Sequence, residues 1–123
     1  MILNNAKLLL GKEGERLAEN YLKEKRYKIV ERNYRCAVGE LDLIALDGRV
    51  IVFVEVKTRT GLGFGMPLEA VEFRKQQKMI HAAQYFLSTK RLGQRDARFD
   101  VVGVFWRGPE PMVEHIENAF LLP

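Results

Sequence analysis

The stretch GELDLIALDGRVIVFVEVKTRTG, residues 39–61, decides how this chain folds. Two apolar runs of alternating character flank an Asp-Gly pair, and this pattern predicts two antiparallel strands joined by a tight hairpin turn. Asp47 and Gly48 are expected to form the turn. In the register that follows from this turn, Asp42 lies opposite Phe53.

Three ionisable side chains, those of Asp42, Glu55 and Lys57, lie inside these otherwise apolar strands. Because side chains alternate along a strand, we expect all three on one face of the sheet, together with Ile44 and Phe53. In the predicted register, Asp42 and Glu55 are diagonal neighbours, about 7–8 Å apart at the backbone. Both carboxylates are then within reach of a single ion.

Crowded carboxylates repel one another and lose hydration, but a divalent cation makes the same cluster favourable. Oxygen ligands suit hard ions such as Mg²⁺ or Mn²⁺. Lys57 beside such an ion could stabilise a developing oxyanion or orient a water molecule. The alternative is an ion-pair network on the solvated face of the sheet, in which Lys57 neutralises Glu55.

Hydrophobic spacing and breaker residues divide the rest of the chain into elements. The predicted order is α-β-β-β-α-β-β, an α/β fold with a mixed sheet flanked by helices. The glycine-rich stretch 58–67 is predicted to be a loop. The predicted elements are a helix over 12–25, a strand over 27–33, the hairpin, a helix that starts between Leu68 and Phe73 and ends near Lys90, a strand over 97–106, and a short edge strand over 112–116.

Composition limits the class of protein. A chain of 123 residues, 47% hydrophobic and 29% charged, is expected to form a single domain over residues 1–123. The net charge of +4 favours an anionic partner such as nucleic acid. Cys36 is the one cysteine and cannot form an intramolecular disulfide. Because signal-peptide and membrane-span patterns are also missing, we expect a cytoplasmic protein without a membrane partner.

Further motifs accompany the hairpin and allow a comparison with known families. The pair of strands resembles the core of the PD-(D/E)XK nuclease superfamily, in which an acid on one strand is followed by (D/E)-x-K on the next. More closely, nearly the whole chain resembles the uncharacterised bacterial YraN-like family, which is related to archaeal Holliday-junction resolvases. The resemblance implies a restriction-endonuclease-like fold, although Leu41 replaces the proline of the superfamily motif. The matching segments are EGERLAENYL (13–22), ERNYRCAVGELDLIA (31–45), VFVEVKTR (52–59), GFG (63–65), RFDVVGV (98–104) and HIENAF (115–120).

The resemblance also implies roles for individual residues. Asp42 and Glu55 would hold Mg²⁺ or Mn²⁺ with the main-chain carbonyl of Val56, and Lys57 would be the catalytic lysine that assists the attacking water. Glu15 matches a first-helix acid that joins the site in junction-resolvase relatives. Its position at the border of the buried helix stripe is compatible with that role. The alternative for Glu15 is a solvated carboxylate that the helix dipole favours.

Basic residues near the predicted site are candidates for substrate binding. Arg59, Lys75 and Lys78 could bind phosphates, because cationic groups position a nucleic-acid backbone. The alternative is an exposed basic loop and helix face. Asp100 is expected to be a structural carboxylate paired with Arg98. Three aromatic residues are expected to pack in the core: Tyr27, Tyr34 and Trp106.

These features predict a metal-dependent endonuclease that hydrolyses phosphodiester bonds of DNA. Kinship with junction resolvases implies branched or otherwise structured DNA, and a two-strand cut would require a symmetric homodimer. Two alternatives belong to other functional classes. One is a non-catalytic nucleic-acid-binding or adaptor module that retains the nuclease fold. The other is a structural partner protein whose acidic sheet face is an ion-pair surface.

Overall fold

The computed structural model describes residues 2–60, 71–106 and 108–121, with side chains from residue 9 onwards. Within these ranges, two helices and five strands follow the predicted order α-β-β-β-α-β-β. They are α1 (Ile2–Glu24), β1 (Lys28–Cys36), β2 (Gly39–Asp47), β3 (Val50–Thr60), α2 (Phe73–Thr89), β4 (Ala97–Trp106) and β5 (Pro111–Phe120).

The described strands form one mixed sheet in the order β1-β2-β3-β4-β5. β3 and β4 run parallel, whereas the other neighbouring strands are antiparallel. Parallel neighbours need a long crossover connection, and α2 lies in the connection between β3 and β4. The arrangement confirms the predicted α/β, restriction-endonuclease-like architecture.

The two helices cover opposite faces of the sheet. On one face, Leu22 of α1 packs in a cluster with Val52 of β3. On the other face, the Phe86 ring of α2 lies 6.1 Å from the ring of Phe53, which in turn lies 5.4 Å from that of Phe99. Burial on both sides explains why the sequence of β3 is almost continuously apolar.

α1, β1 and β5 are longer than predicted. α1 begins at Ile2 rather than at residue 12, because the helix continues through Gly11 at a cost of about 1 kcal/mol. β1 and β5 continue past Asn33 and Asn118, whose φ angles are 50° and 51°. Asparagine tolerates this left-handed conformation, which interrupts the alternation that marks a strand in the sequence. β5 is an edge strand, as predicted, but not a short one.

The predicted loop over residues 58–67 is described only in part. Residues 58–60 belong to β3, and the remainder, including GFG, lies outside the described residues. α2 begins at Phe73, the last position predicted for its start, and ends one residue before Lys90. Neither helix in the described ranges combines the length and apolar character needed to cross a membrane.

The hairpin turn lies one residue later than predicted. Asp47 pairs with Val50, so Gly48 and Arg49 form the turn instead of Asp47 and Gly48. The favoured two-residue hairpin turns need a positive φ at their first central position, and Gly48 provides it at 60° without strain. Each β2 residue therefore faces a β3 residue two positions further along than predicted.

Candidate functional site

Asp42 and Glu55 lie closer together than the sequence predicted. The β2–β3 pairs end with Leu43 opposite Val54, so Asp42 and Glu55 are the residues that directly follow the last pair on each strand. A hydrogen bond joins their two carboxyl groups. The structure thus brings the two predicted metal ligands into direct contact.

β2 departs from strict alternation at Asp42. Leu41 and Ile44 are three residues apart, yet both pack on the α2 side of the sheet. Leu43 packs on the α1 side, so the alternation of buried side chains is interrupted between Leu41 and Leu43. Asp42 Oδ2 accepts a hydrogen bond of 2.7 Å from the backbone N–H of Val56. This bond holds the carboxylate against β3.

The environment of Glu55 favours its protonated form. Its side chain is 13% exposed, and its carboxylate lies 3.4 Å from Lys75 Nζ on α2. Burial, followed by the hydrogen bond to Asp42 and the charge of Asp42, raises the pKa of Glu55 to about 8, although Lys75 opposes the shift. At neutral pH and without a bound cation, burial and the neighbouring carboxyl group of Asp42 therefore keep Glu55 protonated.

Lys57 and Arg59 follow Glu55 at alternate positions of β3. Phe53, on the same alternation, packs on the α2 side, so Glu55, Lys57 and Arg59 project toward that side. Lys57 and Arg59 are both half-buried. The predicted order of an acid and then a lysine along one face of β3 is thus present.

Glu15 on α1 lies near Asp42. Burial and the charge of Asp42 raise the pKa of Glu15, while a hydrogen bond with Asn33 lowers it. Glu15 lines a cavity of about 180 Å³ together with Asn33 and Lys12. α1 approaches β3 closely here, since a Cβ added at Gly14 would overlap the side chain of Thr58.

The carboxylates of Glu15, Asp42 and Glu55 thus lie in one region, but they are not arranged as a complete metal-binding site. Within the described residues, no group of three His, Cys, Asp or Glu side chains is arranged to hold a metal ion. Asp42 and Glu55 nevertheless have the chemistry that a divalent cation prefers, because both present oxygen atoms and a cation would offset the repulsion that helps to raise the pKa of Glu55.

The predicted substrate-binding lysines occupy the start of α2. Lys75 contacts Glu55 directly. Lys78, one turn further along, lines a cavity of about 410 Å³ with Arg35 and Glu40. Gly39 closes one wall, since its backbone lies so near α2 that an added Cβ would overlap the carbonyl oxygen of Lys78. Lys75 also lines this cavity, which therefore adjoins Asp42 and Glu55, the two residues that we call the acidic pair.

Asp100 is the centre of a second polar cluster. It is fully buried, and Arg98 Nε donates a 3.0 Å hydrogen bond to it, which confirms the predicted pairing. His115 Nε2 lies 2.7 Å from its other oxygen, and the backbone N–H of Asn118 lies 3.1 Å from the first. Burial alone would raise the pKa of Asp100, but the hydrogen bonds from His115 and Arg98 outweigh burial and hold the pKa below its usual range. These contacts support a structural role.

Sequence reasoning missed two contacts in these clusters. The partnership of His115 with Asp100 had no signal beyond a polar residue in an edge strand. No pattern in the sequence indicated the hydrogen bond between Asn33 and Glu15, because it joins β1 to α1 across a packing interface. The predicted packing role of the three aromatic residues is confirmed, since each lies in or against a hydrophobic cluster: Tyr27, Tyr34 and Trp106.

Comparison with known proteins gives one consistent result. Residues 14–104 match the family model described as "Uncharacterised protein family UPF0102". A UPF0102 protein of Caldanaerobacter subterraneus subsp. tengcongensis is 48% identical over 118 residues, which cover 93% of this chain and 96% of the relative. A UPF0102 protein of Geobacter metallireducens is 50% identical over 113 residues, which cover 92% of this chain and 93% of the relative. A UPF0102 protein of Rhodococcus opacus is 48% identical over 115 residues, which cover 92% of this chain and 97% of the relative.

Proposed function

The chain belongs to the uncharacterised protein family UPF0102, and we propose that it is a metal-dependent endonuclease that hydrolyses phosphodiester bonds of DNA. The observation that carries the proposal is the contact between Asp42 and Glu55, with Lys57 two residues further along β3. Two neighbouring carboxylates repel each other when both are charged, and a divalent cation bound between them would offset this repulsion.

Each residue has a defined role in this proposal. Asp42, Glu55 and the carbonyl oxygen of Val56 would hold Mg²⁺ or Mn²⁺, and Glu15 would bind a second ion or order a water molecule. When bound, the ion would supply Lewis acidity and lower the pKa of the attacking water. Lys57 would orient that water and stabilise the negative charge that develops on the attacked phosphate.

Cations beside the acids would position the substrate. Lys75 lies against Glu55, and Lys78 lines the adjoining cavity. Arg59 follows on the same face of β3. Phosphate contacts of this kind fix the register of a nucleic-acid backbone without reading its sequence.

The resemblance to junction resolvases favours branched or structured DNA as the substrate. Cutting both strands of such a substrate would need two symmetric active sites, hence a homodimer. Light scattering at the concentrations used for cleavage would test the dimer.

Cleavage assays test the proposed activity. The protein is incubated under Mn²⁺ with four-way junction, flapped, single-stranded and linear duplex DNA. We expect cleavage of at least one substrate and a loss of about 100-fold or more in Glu55→Gln and Lys57→Ala. The matched controls, Glu114→Gln and Lys28→Ala, change exposed residues of the edge strands and should retain activity. Absence of cleavage with every substrate, or equal cleavage by all variants, would remove the proposed activity.

One observation favours a second candidate function, a non-catalytic nucleic-acid-binding or adaptor module. Both acids already have partners within the protein, since Asp42 accepts a hydrogen bond from Val56 and Glu55 is paired with Lys75. Such a module would bind DNA in a salt-dependent manner without cutting it. DNA binding without cleavage or a response to metal would favour this candidate.

A further inference from the structure

The positive charge of this protein is concentrated in one segment. Residues 73–95, which comprise α2 and the start of the segment that follows it, contain six lysines and arginines and no aspartate or glutamate. Outside this segment, 14 of the 20 basic residues remain against all 16 acidic residues. The rest of the chain is therefore slightly acidic, and the excess of +4 comes entirely from this segment.

The exposed residues of α2 form a stripe along the helix. Arg74, Lys78, His81 and Tyr85 are exposed and follow one another at intervals of four, three and four residues, which places them on one face of the helix. Met79 and other buried residues occupy the opposite face. We call this row, together with the exposed cations Lys90, Arg91 and Arg95 beyond it, the α2 stripe.

The α2 stripe begins beside the acidic pair and leads away from it. Lys75, in the first turn of α2, contacts Glu55. At the other end, Arg95 lines a cavity of about 240 Å³ with Arg49 of the β2–β3 turn, Gln94 and Asp96. A helix of 17 residues is about 25 Å long, so its exposed face can contact several successive nucleotides.

α1 does not offer a comparable surface. Its described cations alternate with acids and form local pairs, such as Arg16 with Glu13 and Lys23 with Glu19. These pairs neutralise the charge that a polyanion would recognise. The concentration of charge on α2 is thus not a general property of the helices of this protein.

We propose that the α2 stripe binds a single-stranded arm of the nucleic acid and leads it to the acidic pair. The cleavage of the bound arm at this pair rests on the proposed function. Exposed aromatic residues accompany the cations, since Tyr85 is 50% exposed within the row and Phe73 is 74% exposed at its start. Unpaired bases stack on such rings, whereas the bases of an intact duplex are already stacked on one another.

Binding measurements with a matched pair of variants test the proposal. In a Glu55→Gln background without divalent ions, a fluorescent flapped duplex is titrated at several salt concentrations. The test variant changes three residues that follow α2: Lys90→Gln, Arg91→Gln and Arg95→Gln. The control changes three that end or follow α1: Lys23→Gln, Arg26→Gln and Lys28→Gln. Each set removes three exposed cations, of which one, Arg91 or Arg26, has a positive φ.

The two sets should differ clearly. We expect the test variant to bind more weakly and to lower the slope of log affinity against log salt by about 2, because each phosphate contact in a single strand contributes about 0.7. The control should leave both quantities unchanged. Equal weakening by the two sets would show that binding depends on net charge alone and would overturn the inference.

Substitutions of Tyr85 test whether the stripe recognises single-stranded DNA rather than any polyanion. Tyr85→Leu should lose at least about 5-fold in affinity for the flapped duplex, Tyr85→Phe should retain it, and neither should alter binding of a blunt duplex. Equal losses for both DNAs, or competition by polyglutamate as strong as by single-stranded DNA, would contradict the inference. Because these readouts need no cleavage, a protein that binds as expected but cuts nothing would refute only the proposed activity.

Discussion

At neutral pH, Glu55 holds a proton that an exposed glutamate would lose, because it is buried next to Asp42. Because this proton is bound more tightly in the folded protein than in the unfolded chain, the protonation of Glu55 makes the stability of the protein depend on pH. Between the ordinary pKa of 4.5 and the raised pKa of about 8, the folded protein binds a proton that the unfolded chain has released. The contribution of Glu55 to stability is therefore greatest below pH 4.5 and is lost as the pH rises toward 8.

This linkage predicts a difference between wild-type protein and Glu55→Gln. Without divalent ions, the free energy of unfolding of the wild type should fall from pH 5 to pH 8 more steeply than that of the variant, by at most about 1.4 kcal/mol per pH unit. Urea denaturation at several pH values measures both slopes. Glu114→Gln, which removes an exposed carboxylate, should follow the wild type. Parallel curves for wild type and Glu55→Gln would show that Glu55 titrates normally.

Asp100 provides a second prediction at the residue scale. Its carboxylate is fully buried and accepts hydrogen bonds from Arg98 and Asn118, and it contacts His115. Asp100→Asn removes the buried carboxylate that Arg98, His115 and Asn118 contact, while Arg98 keeps its ion pair with Asp47, so the variant should lose about 1–3 kcal/mol of unfolding free energy. Asp96→Asn, at an exposed side chain, should change stability by no more than about 0.5 kcal/mol. Equal effects of the two changes in chemical denaturation would argue against a structural role for Asp100.

At the scale of elements, the position of α2 depends on its contact with the β1–β2 turn. Gly39 begins β2, and the absence of a side chain there allows the turn to approach the backbone of Lys78. This contact lies beside the cavity that adjoins the acidic pair. A small residue in the turn thus helps to fix the cations of α2 relative to the acids of β2 and β3.

Gly39→Ala should therefore destabilise the protein by about 1–3 kcal/mol, because the added methyl group would overlap a backbone carbonyl that cannot rotate away. Gly11→Ala in α1 is the matched control, since nothing lies within 4 Å of the added Cβ. The control should instead stabilise the helix by about 0.5–1 kcal/mol. Thermal denaturation compares the two, and a neutral Gly39→Ala would mean that α2 is not tightly packed against the turn.

At the scale of the whole molecule, helices from both faces of the sheet contribute to one site. α1 brings Glu15 toward Asp42 from one face, and α2 brings Lys75 to Glu55 from the other. A ligand bound among these groups would connect α1 and α2, which pack on opposite faces of the sheet. Binding should therefore raise the stability of the fold as a unit.

Metal binding offers a direct test of this effect. Mg²⁺ or Mn²⁺ should raise the melting temperature, with a gain of about 2.7 kcal/mol at a concentration 100-fold above Kd. The increase should be larger at pH 8 than at pH 6, because Glu55 loses its proton over this range. The shift should vanish in Asp42→Asn and persist in Glu114→Gln. A shift that survives in Asp42→Asn would place the ion elsewhere.

The order of elements could be predicted because it depends on local patterns. Strand alternation, helical spacing and breaker residues are properties of short segments, and they identified β4 at its observed bounds, Ala97–Trp106. The set of chemical groups, Asp42 and Glu55 followed by Lys57, was likewise visible in the hairpin. Local patterns failed where a single residue interrupts them, as Asn33 and Asn118 do in β1 and β5.

The sequence by itself therefore determined which elements form, in what order, and which acids and lysine the hairpin carries. Only the tertiary structure decided the hairpin register, the break in alternation at Asp42, and the contacts of Glu55 with Lys75 and of Asp100 with His115. The physical reason is the range of the interactions. A turn that moves by one residue satisfies the same local pattern, and packing across the sheet joins residues that are far apart in the chain.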